Sequence, residues 1–181
     1  MRAVERKKPP FMTPKRWLLA VLACLIALGV WFGFYFRDVQ MPKWSEESSM
    51  REAVMATGEM DVIDKLYKHV WEATTWVARG SAEAESESEL YVFLNEESAL
   101  LHRIAADQVL PEEQLRIRWL NEHAGSTIIR VSPGLFREQP VWEVYYKEPE
   151  GDKERFKYQF YSFDQQATLI ETYTLPTKTG P

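Results

Sequence analysis

WLLAVLACLIALGVWFGFYF, residues 17–36, decides how the rest of the chain must be read. Between Trp17 and Phe36 there is no charge, no proline and no amide side chain. As a helix rising about 1.5 Å per residue, the segment would be about 30 Å long, the hydrocarbon thickness of a bilayer. A helix lying on a soluble core needs a polar face, and this one has none. Residues 1–16 before it form a short tail with six basic residues and one acid, and with Pro9, Pro10 and Pro14. Positive charge on that side predicts a cytoplasmic N-terminus and an extracytoplasmic C-terminal domain. The run is longer than a usual signal core and no small-residue cleavage site comes after it, so an uncleaved single-pass anchor is expected. Val21-Leu22-Ala23-Cys24 faintly resembles a lipid-attachment box, but twelve apolar residues continue beyond Cys24, where a lipoprotein would turn polar.

The chain beyond the span has a different character. The mean hydropathy of the whole chain is -0.37 despite the apolar segment, so the remainder is water-soluble. From Asp38 onward there are 15 basic and 26 acidic residues, a net of -11. Such a domain excludes nucleic acid as a partner, because phosphate neutralisation needs basic patches. Cys24 is the only cysteine, so the outer domain has no disulfide and is held by its core alone.

Residues 37–44, with Pro42, read as a linker. Ser49-Met50-Arg51-Glu52 fits a capping box opening a helix that stops near Gly58. Residues 74–80 and 90–94 are β-branched, aromatic or aliphatic runs of strand length, and residues 99–105 are the next strand. The alternating glutamates at 83, 85, 87 and 89 lack the glycine and Asp/Asn pattern of a calcium loop and read as a solvated hairpin loop. Pro111 opens a second helix over residues 111–124, with Leu115, Trp119 and Leu120 as its buried stripe and Gly125 as its stop. Glu112 with Arg116, and Arg118 with Glu122, are spaced to pair along it. Residues 126–131, 140–147, 155–163 and 167–175 then alternate in period two as four strands. Turns are expected at Ser132-Pro133-Gly134, Pro149-Glu150-Gly151-Asp152 and Asp164-Gln165-Gln166, giving an antiparallel meander with one wet face.

Helix followed by strands occurs twice. Residues 93–101 (FLNEESALL) align with residues 161–169 (YSFDQQATL), both reading as aromatic strand, polar turn, alanine and apolar strand. Trp76-Val77-Ala78 occupies in its half the place that Trp142-Glu143-Val144 occupies in the other. An internal duplication is expected. The fold class is therefore α+β: a transmembrane helix, then two helix-on-meander units at 45–108 and 109–176, with a loose tail at 177–181.

The second unit carries Pro133-Gly134, then residues 140–146 (PVWEVYY), residues 158–164 (YQFYSFD) and a closing Thr174-Leu175-Pro176. With the basic tail and single span, these residues resemble the TseB/YpmB proteins of Firmicutes, cell wall elongation regulators with tandem PepSY-type, cystatin-like units. The family's usual Thr-Gly in the last turn is Gln165-Gln166 here. The resemblance implies two cystatin-like units outside a Gram-positive membrane. It also implies a non-enzymatic role in peptidoglycan synthesis, through contact with a penicillin-binding protein, a class B transpeptidase.

No phosphate loop, dinucleotide fingerprint, zinc-protease motif or nucleophile elbow occurs. His69, His102 and His123 are scattered, so no catalytic, metal or cofactor residue is expected. The aromatic residues Trp142, Tyr145, Tyr146, Tyr158 and Tyr161 stand out, and in period two about half of them point to each sheet face. Trp142, Tyr145 and Tyr161 are the candidates for partner contact, unless the second helix covers them. Two other readings remain open at this level: a PepSY-like inhibitor of a secreted protease, and a sensor of an extracytoplasmic ligand.

Overall fold

The computed structural model describes residues 14–83, 88–151 and 153–176, apart from the side chains of residues 14–16, 36 and 38–43. The basic tail up to residue 13, the centre of the glutamate loop, Asp152, the Phe36 side chain and the tail at 177–181 lie outside the described residues. Two compact units divide the chain, Met1–Glu46 and Glu47–Pro181.

Helix α1 (Pro14–Ala56) carries, within the first unit, one segment, Trp17–Tyr35, that is long and apolar enough to cross a membrane. Its mean hydropathy is 2.4 and none of it is buried. Trp17 and Cys24 are exposed on it, and Trp31 stacks on Tyr35 at 5.8 Å. Such a helix is compatible with an anchor or a signal sequence.

Residues 37–44 were expected to be a linker, with a new helix capped by Ser49. Instead α1 continues through both to Ala56. No glycine occurs between Gly33 and Gly58 to release the backbone, so the helix runs on despite Pro42, which removes one helical hydrogen bond and crowds the carbonyl four residues before it. Gly58 then ends the helix at φ +72°, a left-handed conformation that glycine adopts without a Cβ clash.

In the second unit, the end of α1 is followed by β1 (Val62–Val70), β2 (Thr74–Ser81), β3 (Glu89–Asn95) and β4 (Leu100–Ala105), paired antiparallel in that order. A 3₁₀ turn at Ala106–Gln108 leads to α2 (Glu112–Glu122). Then come β5 (Thr127–Phe136), β6 (Gln139–Glu150), β7 (Lys153–Ser162) and β8 (Leu169–Thr174), a second antiparallel meander in chain order.

The two halves share more than element order. The register slips between Ile63 and Lys65 in β1, and again 65 positions later between Ile128 and Arg130 in β5. Met50 and Val54, buried on α1, have their counterparts at the same offset in Leu115 and Trp119, buried on α2. Equal bulges and equal helix anchors at one offset are what a duplicated helix-and-meander segment would give.

Each helix covers one sheet. Met50 and Val54 pack on Trp76, Ala78, Leu90, Val92 and Leu94. Leu115 and Trp119 pack with Trp142, Val144, Tyr146 and Tyr161, and this core also takes in Val77, Tyr91 and Phe93 from the far face of the first sheet. Burying aromatic and aliphatic faces of this kind stabilises a fold by about 25 cal/mol per Å². That matters in a domain with no disulfide.

Several sequence expectations change here. Leu120 is 48 % exposed, because α2 turns the Leu115–Trp119 stripe inward and Leu120 falls outside that arc. Glu112 pairs with Arg116 at 3.0 Å as expected, but Arg118 donates to the Gln166 carbonyl at 2.6 Å. Ser132-Pro133-Gly134 is not a turn but lies inside β5. Proline is tolerated there because β5 is an edge strand of its sheet. The chain reverses at Arg137-Glu138 instead, both at positive φ (51° and 62°), the backbone of a primed two-residue hairpin turn. The Asp164 turn is as expected: its Oδ1 accepts from Ser162 Oγ and from the backbone N–H groups of Gln166 and Ala167.

Candidate functional site

Period-two alternation sorts the residues of β6. Trp142, Val144 and Tyr146 point to α2 and are buried. Tyr145 points the other way, pairs with Tyr158 on β7, and Tyr158 pairs with Tyr173 on β8. Arg130 on β5 lies opposite Tyr145. The result is a cross-strand row, Arg130–Tyr145–Tyr158–Tyr173, on the sheet face away from α2. Tyr145 and Tyr158 stack at 4.5 Å with planes 17° apart. The Arg130 guanidinium lies 6.0 Å from the Tyr145 ring centre, within cation–π range. Phe156, two residues before Tyr158 on the same face, extends the aromatic strip and is 37 % exposed.

One wet face was expected, and part of this face is covered. Trp71, from the turn between β1 and β2, sets its ring edge-on against Tyr158, Phe160 and Tyr173 at 5.3, 4.9 and 5.2 Å. Beneath it Phe136, Val141 and Phe160 form a small buried cluster. Beside Trp71, His69 reaches across to the second sheet and donates from Nε2 to Glu143 Oε2 at 3.0 Å, with both side chains almost fully buried. Arg130 Nη2 donates to the other carboxylate oxygen at 2.6 Å. Gly134 makes this possible, since a Cβ there would sit 2.3 Å from the His69 ring.

Burial raises the Glu143 pKa, but the hydrogen bonds from His69 and Arg130 and their charges outweigh it, so the net direction is down and the carboxylate is ionised. Its two oxygens tie the exposed row, through Arg130, to the junction between the sheets. Tyr158 on the row and Tyr146 in the core move the opposite way. Burial lifts Tyr158, helped by the neighbouring Glu143 charge, and pushes Tyr146 up to about 12. Both therefore stay neutral phenols and offer ring surface. Among the described residues, no group of three His, Cys, Asp or Glu side chains could hold a metal ion. The arrangement suits contact and recognition.

The three residues singled out from sequence for partner contact separate. Trp142 is fully buried and Tyr161 is 6 % exposed, both covered by α2. The Tyr161 hydroxyl and Trp119 Nε1 both donate to Gln159 Oε1, at 2.9 and 2.6 Å, which makes them a satisfied polar pair inside the core. Neither can line a surface, because the helix occupies their face. Tyr145 alone lies on the open side. Tyr158 was among the aromatic residues that stand out in the sequence, and the alternation from it along β7 would have found Phe156, while Trp71 and Arg130 carried no local signal. No protein-family model matches the chain, and no curated protein and no solved structure matches it either.

Proposed function

We propose that this chain is a membrane-anchored, extracytoplasmic binding protein, built from two cystatin-like units, that regulates cell wall elongation by contacting a class B penicillin-binding protein transpeptidase. The observation that carries the proposal is the open aromatic row Arg130–Tyr145–Tyr158–Tyr173, joined in one chain to a fully exposed span-length helix. Tyrosine, tryptophan and arginine are the residues that dominate protein-binding hot spots, and here they gather on one face. The repeated helix-and-four-strand order, with bulges at one offset, supports the two-unit reading. The basic residues before Trp17 support a cytoplasmic N-terminus. A partner confined to the same bilayer meets the row at raised effective concentration, so a modest interface suffices.

In-cell photocrosslinking from position 145, followed by mass spectrometry, tests this directly. The expected product is a span-bearing transpeptidase. Recovery of a secreted protease in its place would overturn the regulator reading. A crosslinker at Trp142, buried under α2, is the control and should capture nothing.

A further inference from the structure

At the foot of the aromatic row the face opens into a concavity of about 510 Å³. Tyr145, Phe156, Leu175 and Pro176 form its apolar wall, and Lys153, Glu154 and Arg155 its charged rim. The volume lies within the range of small-ligand sites, and a mostly apolar wall with a few polar groups is their usual chemistry.

Three features narrow the ligand. The wall is built where β6 and β7 pair, Tyr145 with Tyr158, and the Leu175 N–H donates to the Phe156 carbonyl at 2.9 Å, which seats Leu175 and Pro176 beside Phe156. The concavity presents ring and aliphatic surface, with the Tyr145 and Phe156 rings foremost, so side chains can carry recognition here. The rim carries both signs, as exposed ion pairs: Lys147 with Glu154 at 2.7 Å and Arg155 with Glu150 at 2.6 Å. Exposed pairs of this kind contribute little stability and exchange partners cheaply, so they present donors and acceptors side by side. An anionic ligand is disfavoured by the net charge of -11 from Asp38 onward. Finally, Phe156 stands 6.1 Å from Tyr145, against 4.5 Å between Tyr145 and Tyr158, so it is not closed onto its neighbour and keeps ring surface to offer.

Aromatic faces beside mixed donors and acceptors match a neutral polyhydroxylated ring. Its C–H face is drawn to the negative ring face, and its hydroxyls and amides to the rim. We propose that this concavity is a sugar-binding subsite, and that its ligand is the amino-sugar glycan backbone of the cell wall. The choice of wall glycan as the source rests on the regulator reading above; the sugar chemistry does not.

The test uses the full chain in lipid nanodiscs, free of sugar-headed detergent, titrated calorimetrically with the N-acetylglucosamine tetramer and with maltotetraose. Saturable binding of the amino-sugar is expected, weakened about tenfold by Phe156→Leu and by Tyr145→Leu, and unchanged by Ile117→Ala on α2. Unaltered thermal unfolding of Phe156→Leu, whose side chain is partly exposed, separates lost binding from lost folding. Absence of saturable binding, or binding indifferent to both aromatic replacements, would overturn the subsite. Equal binding of maltotetraose would overturn the wall-glycan assignment. The crosslinking result is read separately: a captured transpeptidase with no sugar binding removes only the subsite, and sugar binding with no captured transpeptidase removes the regulator and the ground for a wall source, while the sugar subsite stands.

Discussion

Gly134 and Glu143 show how much of this domain turns on single atoms. A Cβ at Gly134 would meet three ring atoms of His69 at 2.3–2.6 Å, and that ring is hemmed in by the second sheet. Gly134→Ala should therefore destabilise the protein by about 2 kcal/mol in urea unfolding, the scale of core overpacking. Removing the clashing ring should relieve it, so Gly134→Ala with His69→Ala should cost less than the sum of the two single changes. Glu143 gives a pH signature. Its folded pKa lies below the ordinary 4.5, so the unfolded chain takes up the proton more readily. The stability it contributes is present in full above about pH 4.5 and is lost as pH falls through the folded value. Glu143→Gln should flatten the acid limb of a plot of urea midpoint against pH. It should also lower stability at pH 7 by about 3 kcal/mol, because the buried His69 loses its charged partner. An unchanged acid limb in Glu143→Gln would show that the pair does not govern acid sensitivity.

At the scale of the element, α2 illustrates what a sequence pattern leaves open. Leu115, Trp119 and Leu120 fall within one arc of a helical wheel, and nothing local says which edge of that arc points inward. The sheet decides: Trp142, Tyr146 and Tyr161 receive Leu115 and Trp119 and leave Leu120 outside. Leu115→Ala should cost about 3 kcal/mol and Leu120→Ala less than about 0.5 kcal/mol by denaturant titration. The β5–β6 hairpin holds the opposite lesson. Pro133 and Gly134 look like a turn, yet the reversal falls at Arg137-Glu138, which carry no turn-forming side chain. A backbone hydrogen bond from Arg137 N–H to Glu72 Oε2 at 3.1 Å, from the β1–β2 turn, helps hold that reversal. A contact between residues 65 positions apart has no local trace.

For the whole molecule, the feature with the widest consequence is the uncovered apolar helix. A segment of 19 residues with mean hydropathy 2.4 and no buried residue is stable in a bilayer and costly in water. Placing arginine at Leu22 and Ile26 together adds about 2.5–3.5 kcal/mol per charge to the insertion free energy. The doubly substituted chain should move from the membrane pellet to the alkaline-carbonate supernatant. Retention in the pellet would mean that the segment is not what holds the chain to the membrane.

Local chemistry was enough for much of this protein. The span-length apolar helix and the stop at Gly58 were legible in the sequence, as were the strands around residues 76, 92, 142 and 160 and the doubled helix-and-strand order. Each depends on neighbouring residues: apolar length, period-two alternation, or a glycine at positive φ. What only the tertiary structure decided is which face of the second sheet is open. Alternation says that Trp142 and Tyr145 point opposite ways, but not which side α2 will occupy. Once α2 settles on the Trp142 side, Trp142 and Tyr161 become core and Tyr145 becomes surface. The His69–Glu143 contact, spanning 74 positions, and the seat of Trp71 result from the packing of two sheets, a long-range event that no local window of sequence records.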